Sequence, residues 1–293
     1  MSNSSPRVTV GIPFFNEEGN LAAAVRSILA QTEGDLELLL IDDGSTDRSV
    51  EVAHSFDDPR VTVLSDRMRC HLPARLNEIV RRARGALVAR MDADDVSHPE
   101  RLARELAVID QDSRCDAVGT WAGLVDDDDR IFAVVEAGRQ LSSREAALTR
   151  GFIPHATLLA RRSWLLANPY DEALTRAEDR DLWCRTAGIS RFAVVEEPLY
   201  VVRVEADDDR FLADYLEAQR QNRTLMLRYG PETLGGIATA RSWLASHAKG
   251  LVMRTAVNGG LGRRLVRRRG RPPTATERAL IEQALASAQP HRP

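Results

Sequence analysis

The first hundred residues alternate short apolar runs with helical patterns, and that alternation narrows the possible folds more than any other feature of the chain. Val8 to Phe14 is a compact β-rich run, after which Leu21, Val25, Ile28 and Leu29 recur at the i, i+4, i+7, i+8 spacing of an amphipathic helix. Leu36 to Ile41 repeats the run and ends in Asp42, Asp43 and Gly44, with a helix expected from about Thr46 to Phe56. A strand at Val61 to Leu64, a helix through Leu72, Leu76, Ile79 and Val80, and a strand at Ala86 to Met91 continue the series. Ser97-His98-Pro99-Glu100 has the spacing of a capping box with proline in the first turn, which predicts a helix from there to about Asp112. Repeated strand-then-helix units predict a parallel sheet with helices on both faces, in which ligands gather at the carboxyl ends of the strands.

Beyond Asp112 the pattern changes. Ala117 to Val125 and Arg130 to Val135 flank the acidic run Asp126 to Asp129 and read as a hairpin with an acidic turn. A helix near Ser142 to Arg150, a strand around Thr157 to Ala160, a helix from about Glu178 to Ala187 and strands at Phe192 to Val195 and Leu199 to Val202 follow. From Arg210 onward only helical periodicity is present, with Arg271-Pro272-Pro273 as a linker to a last short helix. The expected organisation is a catalytic domain over residues 1–205 and a helical C-terminal extension with a basic tail over residues 206–293.

Composition excludes several classes. A formal net charge of -3 argues against a strongly basic nucleic-acid binder. Cys70, Cys115 and Cys184 are odd in number and widely spaced, which suits neither a disulfide framework nor a zinc site and fits a reducing cytoplasm. There is no apolar leader at the N-terminus and no apolar run long enough to span a bilayer. Charge is unevenly spread, however. Thr233 to Thr276 contains no Asp or Glu, and Arg263 to Arg271 is densely basic, so this tail is either a solvated arm or a contact for an anionic membrane surface. The expected location is therefore cytoplasmic, with peripheral attachment at the inner face of the membrane.

The polar residues at the strand ends carry the chemistry. Asp92, Ala93, Asp94 and Asp95 follow the apolar run Ala86 to Met91. Carboxylates two apart on a turning chain can converge, one on a sugar hydroxyl and one on a hard divalent cation such as Mg2+ or Mn2+. Asp42 and Asp43 precede a Gly44 turn, where a carboxylate can accept from a nucleobase N–H and Ser45 or Thr46 can cap the next helix. Pro13, Phe14, Phe15, Asn16 and Glu17 follow the first strand; Phe15 can stack on a base and Glu17 can fix a ribose or its neighbouring loop. Each element also has a structural alternative: an acidic capping loop, a plain Asp-Gly turn, and core phenylalanines followed by an Asn16 helix cap.

Ile12-Pro-Phe-Phe-Asn-Glu-Glu, Ile41-Asp-Asp-Gly-Ser-Thr-Asp, Arg90-Met-Asp-Ala-Asp-Asp and Ala177-Glu-Asp-Arg-Asp-Leu-Trp-Cys-Arg occur in that order and spacing. Together they resemble the family 2 glycosyltransferases of the GT-A fold, over about residues 7 to 205. The resemblance implies an α/β fold with a mixed sheet sandwiched by helices, and an inverting enzyme that uses a nucleotide-diphosphate sugar, a UDP-sugar foremost, on a glycan or lipid-linked acceptor. It implies a nucleotide site at Pro13, Phe15, Glu17, Asp43, Asp92 and Ala93, with Asp42 as second candidate to Asp43. It further implies Mn2+ or Mg2+ at Asp94 and Asp92, and Asp179 as the base. Because Glu178 and Asp179 are adjacent, a helix turns them about 100 degrees apart, and only one is expected to face the site.

Two departures from the family pattern stand out. Relatives often show Arg-x-His after the last strand, and here the chain reads Arg203-Val204-Glu205; a degenerate relative that binds nucleotide sugar or glycan without turnover is the alternative this permits. A donor-contacting arginine near the third strand is either Arg69 or Arg75. His155 is an acceptor-side residue or a hydrogen-bonded structural histidine, and Trp183, one helical turn after Asp179, is core or an acceptor platform.

Overall fold

The structure, a computed structural model, describes residues 5–138, 141–150, 152–204, 208–259 and 270–290. Its strands are β1 (Val8–Phe14), β2 (Leu36–Asp42), β3 (Val61–Ser65), β4 (Leu87–Arg90), β5 (Val96–Ser97), β6 (Ala117–Val125), β7 (Ile131–Val135), β8 (Leu159–Arg161) and β9 (Phe192–Arg203). Among the described residues they form one sheet in the order β3-β2-β1-β4-β8-β6-β9-β5, with β7 paired to β6. β1 runs parallel to β2 and β4, and β2 parallel to β3, as the strand-helix alternation predicts. From β8 onward the sheet is mixed: β8 is antiparallel to β4 and β6, while β9 is parallel to β6.

The helices are α1 (Leu21–Leu29), α2 (Ser49–His54), α3 (His71–Arg82), α4 (Arg101–Gln111), α5 (Arg144–Thr149), α6 (Arg162–Ala167), α7 (Glu178–Thr186), α8 (Asp208–Leu234), α9 (Gly236–Asn258) and α10 (Ala275–Ser287). On one face of the sheet Val8, Val10 and Ile12 of β1 pack with Leu21, Val25 and Ile28 of α1 and with Leu102 and Leu106 of α4. Each of these side chains is buried, and burial of a Val, Leu or Ile stabilises by about 1.5–3 kcal/mol. On the other face Leu76, Ile79 and Val80 of α3 share a core with Val88 and with Leu182 and Trp183 of α7.

Local corrections are instructive. Ser97 does not cap a helix. Val96–Ser97 is a strand paired with Val201 and Tyr200, and α4 starts only at Arg101, where the Leu102 N–H donates to Gln31 Oε1. The cap is thus supplied by Gln31, just beyond the end of α1, rather than by the local box. Asn16 does not cap α1 either: with φ of 55° it accepts from the Thr46 N–H, tying the loop after β1 to the loop after β2. Ahead of α2, Asp47 rather than Ser45 or Thr46 accepts from the Ser49 N–H. Phe192 to Arg203 is one continuous strand, whose register on β6 shifts around Trp121 where Pro198 lacks an N–H.

The C-terminal elements return to the sheet. α8 and α9 pack as a hairpin, and α10 shares a core of Ile281, Ala284 and Ala288 with Val96, Val125 and Val201. Arg271 is no free linker. It exchanges both backbone hydrogen bonds with Val134, pairs with Glu136 and Glu277, and lies 5.4 Å from the Trp121 ring centroid. Among the described residues no helix is long and apolar enough to cross a membrane. Glu205 and Arg263 to Arg269 lie outside the described residues.

Candidate active site

At the carboxyl ends of β1, β2 and β4 a cleft of about 760 Å³ opens, closed on its far side by the loop before α7 and by Glu217 of α8. Pro13, Phe15, Asp43, Asp92, Asp94 and Asp179 all line it. The loop before α7 is held in place by Gln221 of α8, which accepts from the Arg176 N–H and donates to Thr175 Oγ1. Asp181, inside α7, accepts from Arg185, Arg228 and the Tyr229 hydroxyl, which ties α7 to α8.

The two aspartates after β2 part ways. Asp42 is buried and closes its own turn, accepting from the Ser45 N–H at 2.8 Å and from Ser65 Oγ at 2.7 Å. Gly44 then takes φ of 80°, a conformation only glycine adopts without strain. Asp43 reaches the cleft wall, but most of its capacity is already used. It accepts from the Cys70 and His71 N–H groups and from Arg75 Nε, and it pairs with Arg69 at 2.8 Å. This anchors the start of α3 beneath the cleft.

Sequence left Arg69 and Arg75 level, and the geometry separates them. Arg75 is buried and locked by Asp43, Asp66, Glu78 and the Met68 carbonyl. Arg69 remains 43% exposed and lies 3.4 Å from the Phe15 ring centroid, so one face of the expected base-stacking ring carries a guanidinium. Phe14 is core, as its structural alternative had it. Glu17 and Ala93 are not among the residues lining the cleft. The Glu17 N–H donates to Ser49 Oγ at the base of α2, and the Ala93 side chain is buried in the core with Met91, because the chain turns inward between Asp92 and Asp94.

Under the tip of β4 lies a cluster that the motif reading passed over. Arg90, 7% exposed, donates to Asp92 Oδ1 at 2.5 Å, while the Asp92 N–H has no helix to join and the Tyr200 hydroxyl accepts it at 3.0 Å. Asp95 accepts from the Arg203 N–H, and its carboxyl is pushed well above its ordinary range by burial and then by the charges of Asp94 and Asp92. No group of three or more His, Cys, Asp or Glu side chains among the described residues is arranged to hold a metal unaided. Asp92 and Asp94 fit the mode in which one or two carboxylates share a Mg2+ or Mn2+ ion with substrate phosphates. The sequence signal for this cluster was present: Arg90 is a charge inside an otherwise apolar strand.

Glu178 and Asp179 both line the cleft, contrary to the expectation that helical divergence would turn one away. The cleft meets α7 at its first turn, next to Thr175 and Arg176, and there side chains on different faces reach the same space. Their surroundings differ. Glu178 is 6% exposed, and burial followed by the Asp179 charge pushes its carboxyl up to about 7, against the opposing pull of Arg90. Asp179 is half-buried, and its Oδ1 accepts from the Arg180 N–H. His155 lines the same wall, with Nε2 2.9 Å from the Tyr170 hydroxyl and Nδ1 3.6 Å from Glu178. Burial and then the Arg90 charge push its pKa down, so it is neutral near pH 7. Trp183 is core: it is 2% exposed and stacks on Phe152 at 5.2 Å.

Comparison with known proteins agrees with this architecture. The model of "Glycosyl transferase family 2" matches residues 9–166. The chain is 32% identical over 215 residues to EpsE of Bacillus subtilis strain 168, a glycosyltransferase-type protein, covering 70% of this chain and 76% of that one. Among solved structures, S. aureus TarS (residues 1–349) in complex with UDP aligns with a TM-score of 0.56 at 19% identity, covering 76% of this chain and 66% of that chain. The mannosyltransferase PcManGT of Pyrobaculum calidifontis, in complex with GDP-Man and Mn2+, aligns with a TM-score of 0.53 at 18% identity, covering 98% and 86%. With the motifs in register along one cleft and the family model spanning the strands that build it, the chain belongs to glycosyl transferase family 2 and is a glycosyltransferase of the GT-A fold.

Proposed function

We propose that the enzyme moves a sugar, with inversion at the anomeric carbon, from a nucleotide-diphosphate donor, a UDP-sugar foremost, to a hydroxyl of a glycan or lipid-linked acceptor in polysaccharide or cell-envelope glycan synthesis. The observation that carries this reading is the convergence of Asp92 and Asp94 from the tip of β4 and Asp179 from the head of α7 on one cleft. Asp94 and Asp92 hold a Mn2+ or Mg2+ ion, Pro13, Phe15 and Asp43 wall the nucleoside pocket, and Asp179 is the base. Solved relatives of the same fold carry UDP in one case and GDP-Man with Mn2+ in another, which supports a metal-assisted nucleotide-sugar donor.

Inversion needs a single in-line displacement, so one base suffices. Asp179 takes the proton from the acceptor hydroxyl as its oxygen bonds to the anomeric carbon, and the bond from that carbon to the diphosphate oxygen breaks. When bound, a divalent cation neutralises the charge that collects on the departing diphosphate. Asp179 suits the base better than Glu178, because it is the more accessible of the two, whereas Glu178 is 6% exposed and lies 3.6 Å from His155 Nδ1. The test is a panel of nucleotide sugars scored by Mn2+-dependent thermal shift, since a ligand at about 100 times its dissociation constant adds about 2.7 kcal/mol of stability. UDP is expected to stabilise only with metal present; stabilisation by no nucleoside diphosphate under any metal would overturn the reading.

Contact with an anionic membrane surface is part of the same proposal. Ile237, Leu244 and Leu251 of α9 are 82%, 61% and 66% exposed, and they recur at a seven-residue interval within the acid-free stretch Thr233 to Thr276. An apolar stripe flanked by cations suits the interface of an anionic bilayer, at about 1 kcal/mol per basic residue near the surface. Arg271 is excluded from that role by its pairing with Glu136 and Glu277. Sedimentation with anionic vesicles at low salt, and none with neutral vesicles, is the expected result; equal recovery in both pellets would refute the electrostatic part.

A further inference from the structure

Asp179 borders more than one opening. Besides the donor cleft it lines a side cleft of about 220 Å³ together with Phe152, His155, Trp183 and Arg180. Arg180 in turn lines a cavity of about 250 Å³ among α5, α7, α8 and α9, with Asn222, Arg223, Trp243 and Lys249. The two cavities share Arg180 in their walls, and together they extend from Asp179 to the α8–α9 hairpin as a discontinuous path.

The path is cationic. Arg150, Arg180, Arg223 and Lys249 line it, and none has a carboxylate partner among the described residues. Nearby arginines differ: Arg176, Arg185, Arg220 and Arg228 each pair with an Asp or Glu. The carboxylates along the path are Asp179 and Glu136, and Glu136 is taken by Arg271.

We propose that this path is the acceptor subsite and that its acceptor carries a phosphoryl group, held by Arg223 and Lys249 while a sugar hydroxyl faces Asp179. The inference rests on the donor reading above. Guanidinium and ammonium groups bind phosphoryl oxygens through charge-assisted hydrogen bonds, whereas an uncharged glycan would leave these cations unmatched. The phosphoryl group belongs either to a lipid headgroup or to a glycosyl phosphate, and the probes below separate those sources.

Tryptophan fluorescence of the full chain is titrated with decyl phosphate, glucose 1-phosphate and uncharged octyl glucoside, with the donor cleft saturated by UDP and Mn2+ and again without them. A phosphorylated probe is expected to bind at least about tenfold more tightly than octyl glucoside, a difference of about 1.4 kcal/mol. The double variant Arg223→Gln/Lys249→Gln is expected to lose about that factor while the UDP-induced rise in Tm is unchanged, and Arg223→Lys is expected to keep most of the affinity. Tighter decyl phosphate identifies a lipid source, and tighter glucose 1-phosphate a glycan source. The proposal is overturned if octyl glucoside binds as well as the phosphorylated probes, or if the double variant binds them as the parent does. Absence of a UDP response in the parent chain marks failure of the donor reading instead, and the titration without UDP still decides the subsite.

Discussion

Arg90 Nη2 sits 2.5 Å from Asp92 Oδ1, so the charge at the tip of β4 is balanced by a cation planted in the strand beneath it. The Arg90 carbonyl accepts from Arg101 Nη2, and Arg101 is itself buried over the Tyr200 ring. The same cation lowers the pKa of His155 and opposes the upward push on Glu178. One side chain thus conditions both carboxylate-bearing walls of the cleft.

Arg90→Leu removes that cation and takes from Asp92 its ion-pair partner, beside the carboxyl groups of Asp94 and Asp95. Breaking a buried pair costs about 3–5 kcal/mol, and because the Asp92 side chain is 35% exposed the lower end applies, about 3 kcal/mol. Urea unfolding in the absence of ligand measures it; a loss below about 1 kcal/mol would mean that solvent already screens the pair.

Glu178 makes stability depend on pH. Its folded pKa is raised, by burial first and the Asp179 charge second, from the ordinary 4.5 to about 7. Between those values the folded state holds a proton that the unfolded chain has released. Its contribution to stability is therefore fully present below about 4.5 and is lost as pH rises through about 7, with a slope approaching about 1.4 kcal/mol per pH unit. Glu178→Gln should flatten the stability profile over that window. An unchanged slope in the glutamine variant would assign the titration to another group.

Much of this arrangement was legible from residue patterns, and the exceptions share a cause. Strands with strictly apolar faces and helices with regular spacing, such as β1 with α1, depend on local periodicity and were readable. Ser97-His98-Pro99-Glu100 misled because pairing with Tyr200, a contact a hundred residues away in sequence, outweighs a local capping pattern. The convergence of Asp92, Asp94 and Asp179 was expected from their motifs. The buried support beneath them, in which Tyr200 meets the Asp92 N–H and Arg203 meets Asp95, depends on strand register that no local signal carries. The same holds for α10, whose docking on the sheet could not be read from its own periodicity.

That docking is testable at Gly123. A Cβ there would lie 2.5 Å from Ile281 Cδ1 and 2.6 Å from Cγ1, so α10 rests directly on the bare β6 backbone. Gly123→Ala should cost about 1–3 kcal/mol by overpacking. In combination with Ile281→Ala the two losses should fall well short of additive, because the second substitution relieves the clash created by the first. Additive losses in a double-mutant cycle would show that α10 moves away freely.

Arg69 and Phe15 should act as a pair on nucleotide affinity. The guanidinium covers one ring face and is also paired with Asp43, so it stiffens the pocket wall and presents positive charge to the cleft. Arg69→Gln is expected to weaken UDP binding about tenfold, the size of a lost charge-assisted hydrogen bond, with little change in Tm because the side chain is 43% exposed. Calorimetric titration with UDP and Mn2+ reads this directly. Unaltered affinity would place the nucleotide away from this wall.

The division of labour between Asp94 and Asp179 yields the sharpest prediction. Both line one cleft yet belong to different elements, and the proposed reaction gives them opposite tasks: Asp94 would help hold the cation, and Asp179 would receive the acceptor proton. Asp94→Ala should remove the metal-dependent UDP stabilisation and transfer together. Asp179→Asn keeps the size and polarity of the side chain but cannot take a proton, so it should bind UDP with Mn2+ as the parent does while transfer falls by about 10²–10⁴-fold, the range of a positioned general base. Single-turnover transfer beside the thermal shift distinguishes the outcomes. If the asparagine variant turned over at the parent rate, the proton would have to leave through another carboxylate. Glu178, lining the same cleft with its pKa near neutrality, would then be the group to substitute next.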